Sequence, residues 1–376
     1  MKSNCKKLGE FINTIDEKNE GCIITNLQGV SNEKKFISSI ANIIGTDLSS
    51  YKIVRTGQFA YGPVTSRNGD KISIALLDGA DCIVSSSYVP FDVIKKEELL
   101  PEYLMLWFMR PEFDRYARFM SNGSAREVFD WSCMCDCLIP VPPIEQQRKM
   151  VHDYKVITDR IELLEKINEI LFEMGKTIMK ENYTVDDYFA ENISISDFCE
   201  NTVSGATPNR SKNTYWDSPD IPWLKNGEVK NNIILDTEEY ISLKALNETS
   251  VKLVKKYTVN MAMYCVSDIQ VSYSSIPLTT NQAVLNMTVD SFRKASFLYY
   301  YLATFGNDIT SNANGSAQQN LSKEIIDAHI FKKPILEDKS FDFFEANLNE
   351  RIAISKQIKV LNEASKNLMF NFRKEA

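Results

Sequence analysis

Asn122-Gly123-Ser124-Ala125 returns in this chain as Asn314-Gly315-Ser316-Ala317, 192 positions later (314 less 122). The surroundings of the two copies follow the same order. An aromatic run at helical spacing precedes each, and a strand-like stretch, a proline and a long helical pattern follow. A chance tetrapeptide would not bring this order with it, and the period is too long for a solenoid, whose repeats run roughly 20–50 residues. The chain therefore contains two copies of one unit.

The repeat extends upstream of the tetrapeptides. Ser85-Ser86-Ser87-Tyr88 lies opposite Thr279-Thr280-Asn281-Gln282, and Leu8 and Phe11 lie opposite Ile195 and Phe198. With 376 residues, the chain is long enough for two cored domains and connecting helices. We expect two similar lobes, each followed by a helix.

Two long segments carry the heptad spacing of helices that pack along a partner helix. From 145 to 180 the seam runs from Met150 to Ile178 and includes Asn168, and from 341 to 373 it runs from Phe344 to Phe372. The matched lengths predict an antiparallel pair. Roughly 36 residues at ~1.5 Å rise would make a rod of about 50 Å, long enough to place two lobes on successive major grooves. The alternative is that both are amphipathic core helices of one large domain.

The predicted fold class is α+β, since short β-rich runs alternate with turns and one aromatic helix in each lobe. Two similar globular domains would be separated by two long antiparallel coiled-coil helices, with a pseudo-two-fold internal repeat. The predicted segments are 1–143 (first lobe), 144–182 (central long helix), 183–336 (second lobe) and 337–376 (distal long helix).

The composition is that of a soluble globular protein, with 44% hydrophobic and 25% charged residues. There is no apolar run near the roughly 18 residues needed to span a bilayer, and the first residues lead into no hydrophobic signal segment. We therefore expect a cytoplasmic protein. Eight cysteines, scattered except for one cluster, do not suggest a disulfide framework in such a chain.

Three cysteines cluster at Cys133, Cys135 and Cys137. Their alternate spacing predicts one face of a strand, on which the thiols would fan out rather than converge on one ion. Structural zinc usually takes cysteines separated by a turn. We therefore expect small buried core residues and no metal, with a zinc site or a cysteine enzyme as the alternative.

The net charge of −7 argues against strong DNA binding by the whole surface, because phosphate binding is mainly electrostatic. Basic charge nevertheless recurs at matched places. Residues 51–71 hold four cations against one carboxylate, and so do residues 244–264. A solvated face would explain either stretch alone, whereas the recurrence favours two faces that contact phosphate.

The polar loops are rich in side chains that form hydrogen bonds with base edges in the major groove. Each of these residues, taken singly, could equally be an ordinary turn or solvent residue. The candidate DNA-binding residues of the first lobe are Lys52, Arg55, Ser66, Arg67, Asn68, Tyr88 and Arg126. Those of the second lobe are Arg210, Lys225, Tyr273, Ser274, Asn281, Gln282, Gln318 and Gln319.

Patterns for catalysis are missing from the sequence. It has no phosphate-binding glycine loop and no dinucleotide fingerprint, and it has only two histidines, His152 and His329. It also lacks the Asn/Asp-Pro-Pro-aromatic segment that amino-methyltransferases use around a target base. We expect a DNA reader that is not an enzyme and that carries no cofactor of its own.

The combination of two lobes, two matched helices and several motifs resembles the specificity subunit of type I restriction-modification systems, over essentially the whole chain. Pro142-Pro143-Ile144-Glu145-Gln146-Gln147 is similar to that family's conserved-region signature, as is Gly315-Ser316-Ala317-Gln318-Gln319 in the second copy. Thr207-Pro208, Tyr215-Trp216 and Ile221-Pro222-Trp223 resemble the opening of many of its target-recognition domains.

The resemblance implies that each lobe is a target-recognition domain reading one half of a bipartite double-stranded DNA site, while the helix pair sets the spacer. It implies two methyltransferase subunits that dock on the helices and modify adenine with S-adenosylmethionine, and restriction subunits in the full complex. The expected partner-binding residues are Pro142, Pro143, Glu145, Gln146 and Gln147. Two alternatives stay open: a recognition subunit of another DNA-modifying defence system, and a coiled-coil scaffold that never touches DNA.

Overall fold

The computed structural model describes residues 5–39, 46–66, 68–122, 127–264, 268–311 and 321–375. The chain divides into two compact units. Unit 1 comprises residues 1–160 and 362–376, and unit 2 comprises residues 161–361. The division passes through both long helices, whereas the four segments expected from the sequence keep each helix whole. That segmentation stays a prediction.

The strands of unit 1 are short. They are β1 (Cys5–Lys7), β2 (Ile12–Thr14), β3 (Gln28–Val30), β4 (Phe36–Ser38), β5 (Lys52–Val54), β6 (Phe59–Tyr61), β7 (Ile74–Leu76), β8 (Cys82–Val84), β9 (Val89–Val93) and β10 (Leu138–Pro140). The helices are α1 (Pro101–Phe108), α2 (Pro111–Met120), α3 (Trp131–Asp136) and the first part of α4 (Ile144–Asn182).

An antiparallel sheet in the order β2-β9-β6-β7 carries the core of unit 1. Helices α1 and α2 each begin with a proline, whose missing N–H would have had no helical acceptor at that position. The core is largely aromatic: Phe59 stacks on Phe91 with ring centroids 4.8 Å apart, and Phe108 meets Phe59 edge-on. The aromatic run predicted as a helix is therefore the element that covers the sheet.

Unit 2 contains a larger sheet. Its strands are β11 (Phe189–Ser194), β12 (Asn201–Ser204), β13 (Ile221–Leu224), β14 (Ile233–Ile234), β15 (Glu239–Ile241), β16 (Thr258–Ala262), β17 (Val271–Ser274), β18 (Thr279–Thr280), β19 (Val284–Thr288) and β20 (Ile330–Pro334). Its helices are α5 (Ile195–Phe198), α6 (Leu243–Glu248), α7 (Phe292–Ser311), α8 (Lys323–Asp327) and the first part of α9 (Asp342–Glu375).

Five strands of unit 2 follow the order β12-β19-β16-β17-β14, and a second sheet has the order β15-β13-β18. Both sheets are mixed, because β14 runs parallel to β17 and β13 runs parallel to β18. One face of the larger sheet packs on the aromatic helix α7 and on the long helices, where Phe297, Tyr299 and Tyr300 are fully buried. The structure therefore confirms the predicted α+β class.

A short antiparallel strand pair precedes each long helix, and it is the clearest structural trace of the repeat. In unit 1, β1 pairs with β10 in the register Lys7↔Leu138, and α4 follows. In unit 2, β11 pairs with β20 in the register Ser194↔Ile330, and α9 follows. The residues after the first strand of each pair are Leu8 and Ile195, which the sequence repeat matches, and both are buried.

Helices α4 and α9 pack antiparallel within each unit. In unit 1, Tyr154 and Met369 join one apolar cluster. In unit 2, Asn168 Nδ2 lies 3.4 Å from Ser355 Oγ, and Asn347 Nδ2 donates to the Leu171 carbonyl over 3.0 Å. Residues further along α4 contact residues nearer the start of α9, so the two helices run in opposite directions. The predicted antiparallel pair is therefore confirmed, with Asn168 on its seam.

The cysteine cluster does not form the predicted strand. Residues 131–136 are the helix α3, in which Met134 is buried, and Cys137 is buried just beyond its end. The inward-facing positions recur every three residues rather than every two, because the segment packs as one helical turn against the 3₁₀ turn at Leu8. The matched segment of the second copy is also a helix, α8.

Within the described ranges, no helix is both long enough and apolar enough to cross a lipid bilayer.

Candidate nucleic-acid interface

The loop between β12 and β13 is anchored to strand β18 at a glycine. A Cβ at Gly205 would lie 2.2 Å from the Thr280 carbonyl oxygen and 2.4 Å from that of Asn281, so a side chain has no room there. The next residue, Ala206, donates its N–H to the Thr280 carbonyl over 2.9 Å. The loop therefore starts from a fixed point beside the turn at Asn281.

Two tryptophans hold the rest of this loop. The indole Nε1 of Trp223 donates to the Ala206 carbonyl over 3.1 Å, and that of Trp216 donates to the Asn209 carbonyl over 3.2 Å. Asn209 in turn accepts the backbone N–H of Ser211 on its side-chain oxygen at 3.0 Å. The loop is thus fastened on both sides of Arg210.

The Arg210 guanidinium lies over the Trp216 ring, with Cζ 3.8 Å from the ring centroid, and 4.7 Å from that of Trp223. Its Nη1 donates to Glu239, and the side chain is still 50% exposed. Lys225 Nζ lies 3.1 Å from the other Glu239 carboxylate oxygen. The hydrogen bond from Arg210, together with that from Lys225, holds the pKa of the Glu239 carboxyl below its ordinary value.

The turn after β18 completes the surface. The Thr207 hydroxyl donates to Gln282 Oε1, and the Asn281 N–H donates to the Leu224 carbonyl over 3.0 Å. The structure therefore brings four predicted DNA-binding residues to one place, which we call the Arg210 surface. Its members are Thr207, Arg210, Lys225, Glu239, Asn281 and Gln282.

Two other predicted residues of unit 2 lie inside the fold. Tyr273 and Ser274 are buried on β17, a strand with neighbours on both sides, and Asn260 Nδ2 donates to Ser274 Oγ over 2.7 Å. Neither side chain reaches the surface from which a base could be contacted. The polar residues of this strand belong to a buried hydrogen-bonded layer. The residue types alone do not show whether such residues lie in a buried strand or in an exposed loop.

Two of the predicted basic residues of unit 1, Lys52 and Arg55, are held by neighbours. Lys52 Nζ donates to the Tyr88 carbonyl over 3.2 Å and lies 3.8 Å from Asp16. Arg55 is bound to Glu17 and, over 2.7 Å, to Asp81. These two carboxylates raise the pKa of Arg55, and the hydrogen bond from Arg55 lowers that of Asp81.

The turn with Ser66 and Asn68 is fixed at its base. The Thr65 N–H donates to the Glu127 carbonyl over 2.9 Å, and the Asn68 N–H donates to the Thr65 carbonyl at the same distance. Ser66 is exposed at this turn. Four further predicted residues lie outside the described residues: Arg67, Arg126, Gln318 and Gln319.

The expected partner-binding motif at the start of α4 divides into exposed and buried members. Pro143 and Glu145 are exposed, and Pro142 and Gln146 are half-buried. Gln147 is fully buried: its Oε1 accepts the Leu100 N–H at 2.9 Å, and its Nε2 donates to the Glu98 and Pro142 carbonyls. These three bonds make Gln147 a structural residue that fastens the start of α4 to unit 1.

Sequence reasoning missed Glu239 and the anchoring role of the two tryptophans. The aromatic pair at Trp216 and Trp223 was visible only as a family resemblance. Glu239 gave no signal because it binds Arg210, which lies 29 positions earlier in the sequence. The Arg210 surface offers hydrogen bonds and charge to a ligand. Within the described ranges, no group of three or more His, Cys, Asp or Glu side chains is placed to hold a metal ion.

Comparison with known proteins gives the surface its context. Residues 189–363 match the family described as "Type I restriction modification DNA specificity domain". The match contains the whole Arg210 surface and both strands of the pair that precedes α9. These residues make up less than half of the chain, and the match agrees with the resemblance that the motifs in the sequence indicated.

Two relatives are named as specificity subunits of type I restriction enzymes. The type I restriction enzyme MjaIX specificity subunit of Methanocaldococcus jannaschii is 22% identical over 186 residues, which span 45% of this chain and 43% of that protein. The HindI specificity subunit of Haemophilus influenzae is 20% identical, over 88% of this chain and 89% of that protein. The chain thus spans less than half of the first relative and most of the second.

The fold itself has a solved counterpart. The crystal structure of a type I restriction-modification S subunit from M. genitalium matches with a TM-score of 0.59 at 13% identity, covering 98% of this chain and 95% of that one. At this identity the likeness shows a shared fold.

Proposed function

We propose that this chain is a type I specificity subunit and reads a bipartite double-stranded DNA site, one half with each unit. The observation that carries this proposal is the repeated strand pair. Each lobe contains both helices and strands and is closed by one such pair, β1 with β10 or β11 with β20. Each pair leads into one of the two long helices. A single chain with two equivalent lobes suits a target with two separate halves.

The paired helices are proposed to set the unread spacer between the half-sites. Helix α4 has 39 residues and α9 has 34. At ~1.5 Å rise per residue each is about 50–60 Å long, which exceeds the 34–36 Å between successive major-groove faces.

The same helices are proposed to dock two methyltransferase subunits, which modify adenine with S-adenosylmethionine, and restriction subunits would join the full complex in the cytoplasm. An apolar stripe on α4 supports docking. Leu163, Ile167, Ile170 and Met174 follow one another four, three and four residues apart and are between 37% and 59% exposed. Such spacing is that of a helix face that packs on another helix.

Deleting the gene from its host and sequencing the genome with modification-sensitive reads tests the proposal. We expect N6-methyladenine to disappear from one split motif in the deletion strain and to return on complementation. An unchanged methylome, together with failure of the tagged chain to co-purify with a methyltransferase subunit, would contradict it. Exchange of residues 183–336 for those of a relative should change one half of the motif, whereas a scaffold that does not read DNA would leave both halves unchanged.

A further inference from the structure

The Arg210 side chain is held in place by an aromatic ring and a carboxylate before any ligand binds. Its guanidinium lies over Trp216, 3.8 Å from the ring centroid, and Trp216 also donates to the backbone of the adjacent Asn209. Cation–π contact with tryptophan is the strongest of its kind. The aromatic ring therefore fixes both the side chain and the loop from which it projects.

The carboxylate partner limits the orientation further. Glu239 accepts a hydrogen bond from Nη1 and is itself bound to Lys225, which keeps the carboxylate in position. A guanidinium has five N–H groups in a planar fork. With Nη1 directed toward Glu239, the fork still has N–H groups on Nη2 and Nε to offer to another acceptor.

We propose that Arg210 reads a guanine in the half-site bound by unit 2, with Trp216 and Glu239 as its positioning residues. This inference rests on the proposed function. Arginine pairs in a bidentate manner with the O6 and N7 atoms of guanine, which are the two adjacent acceptors of that base in the major groove. The two acceptors require a fork of fixed orientation, and that is what Trp216 and Glu239 provide.

A phosphate contact would not need this arrangement, because a phosphate accepts hydrogen bonds from many directions and a mobile lysine satisfies it. Lys212 lies on the same loop. Its Nζ lies 2.8 Å from Glu248 and 2.7 Å from the Tyr215 hydroxyl. Lys212 thus pairs with α6 and not with Glu239, so it serves as a matched control for charge on this loop.

The experiment complements the deletion strain with wild-type, Arg210→Lys, Arg210→Ala or Lys212→Ala chains and compares their methylation motifs. The wild-type motif should contain a guanine in the half read by unit 2. Arg210→Lys keeps the charge and loses the planar fork, so we expect discrimination at that one position to fall by about tenfold while all other positions stay unchanged. Arg210→Ala should relax the same position, and Lys212→Ala should keep the full motif.

The positioning role has its own measurement. Glu239→Gln keeps a hydrogen-bond acceptor and removes the charge, and we expect it to weaken discrimination at the same guanine rather than elsewhere. Thermal unfolding of each purified chain checks that the variants fold. If Arg210→Ala does not fold, Arg210→Lys still tests the inference.

Two results would overturn the inference while leaving the proposed function standing. One is a split motif that every Arg210 variant retains unchanged. The other is weaker methylation of all sites alike, which identifies a phosphate contact. A wild-type strain with no split motif would instead remove the proposed function, and this inference with it.

Discussion

Arg351 on α9 donates from Nη1 to the Tyr299 hydroxyl of α7 over 2.8 Å in the interior of unit 2. Its Nε donates to Asn168 Oδ1 on α4 at 2.8 Å, and its Nη2 donates to the Asn231 carbonyl at 2.9 Å. The residue is only 2% exposed, and its guanidinium lies 4.7 Å from the Phe172 ring centroid. One side chain thus joins both long helices to the loop before β14.

Replacing Arg351 with alanine should lower the free energy of unfolding by about 3 kcal/mol, because it leaves Asn168 Oδ1 without its donor and opens a cavity beside Phe172. Arg351→Met fills most of that space and should lose less. Urea unfolding followed by circular dichroism measures both. Lys356→Ala, an exposed charge deletion on the same helix, is the control and should change stability by no more than about 0.5 kcal/mol. Equal effects of Arg351→Ala and Lys356→Ala would contradict this account.

Gly175 on α4 allows the close approach of Tyr300. A Cβ at position 175 would lie 2.1 Å from a ring carbon of Tyr300, which is fully buried and bound through its hydroxyl to Asn347. Alanine normally stabilises a helix relative to glycine by about 1 kcal/mol. Here the ring has no free space to move into, so Gly175→Ala should instead destabilise the protein, by about 1–3 kcal/mol.

Thermal unfolding of the variant tests the sign of this effect. Gly227→Ala is the matched control, since a Cβ at that position meets no atom within 4 Å. A second variant, Gly175→Ala combined with Tyr300→Ala, removes the clash and should show less than the sum of the two single losses. An increase in the melting temperature of Gly175→Ala would mean that the contact with Tyr300 is not as close as described.

These two positions show what the sequence does and does not reveal. The heptad spacing placed Asn168 and Gly175 on the seam of α4, and the structure confirms that Asn168 is there, because a long apolar period leaves one packing face available. The spacing gave no sign that Arg351 is bound to Tyr299 and Asn231, since hydrogen bonds across 52 and 120 positions leave no local pattern.

The candidate site shows the same division. Arg210 and Gln282 were selected by residue type, and the fold brings them together because Gly205 fastens their loops to each other. Tyr273 was selected on the same grounds and lies inside the sheet. Residue type indicates which hydrogen bonds a side chain can form. Whether the side chain is exposed depends on the position of its strand in the sheet, and that position follows from the three-dimensional order of the strands.

His329 gives the stability of unit 2 a dependence on pH. Its Nε2 lies 2.8 Å from the Tyr301 hydroxyl, and burial lowers the pKa of the imidazole, opposed by the charge of Asp308. The unfolded chain, with an ordinary histidine pKa of about 6.5, therefore binds this proton more readily than the folded one. The contribution is fully present above about pH 6.5 and is lost as the pH falls through that value toward the lower folded pKa.

We accordingly expect the urea midpoint of the wild-type chain to fall more steeply between pH 7.5 and pH 5 than that of His329→Gln, which can keep a bond to Tyr301 and does not titrate. The exposed His152 on α4 provides the control, and His152→Gln should follow the wild-type curve. If His329→Gln retains the full pH dependence, the effect belongs to other groups.

The purified chain should bind DNA weakly and with a shallow salt dependence. Arg55, Lys71, Arg210 and Lys225 are each paired with a carboxylate of the same chain, and the net charge is −7. This pairing reduces the positive charge that these four residues offer to phosphate, and with two or three phosphate contacts the slope of log K against log salt would be about −2 to −3. Fluorescence anisotropy with a duplex over a range of salt concentrations measures it, and a slope steeper than about −5 would contradict the expectation.

The exposed stripe on α4 should be required for assembly with a methyltransferase subunit. Ile170 is 59% exposed at the centre of the stripe, so Ile170→Glu places a charge in the proposed interface without disturbing the core of unit 2. We expect the variant to keep the wild-type melting temperature and to lose co-purification with the methyltransferase subunit when both are expressed together. Val360→Glu on α9 is the companion variant for the other helix, because Val360 is 64% exposed and is the exposed large apolar residue of α9 among the residues the structure describes. Loss of assembly with Ile170→Glu alone would locate the docking face on α4. Equal loss with both variants would instead indicate that α9 also takes part, and retention with both would remove the stripe from the interface.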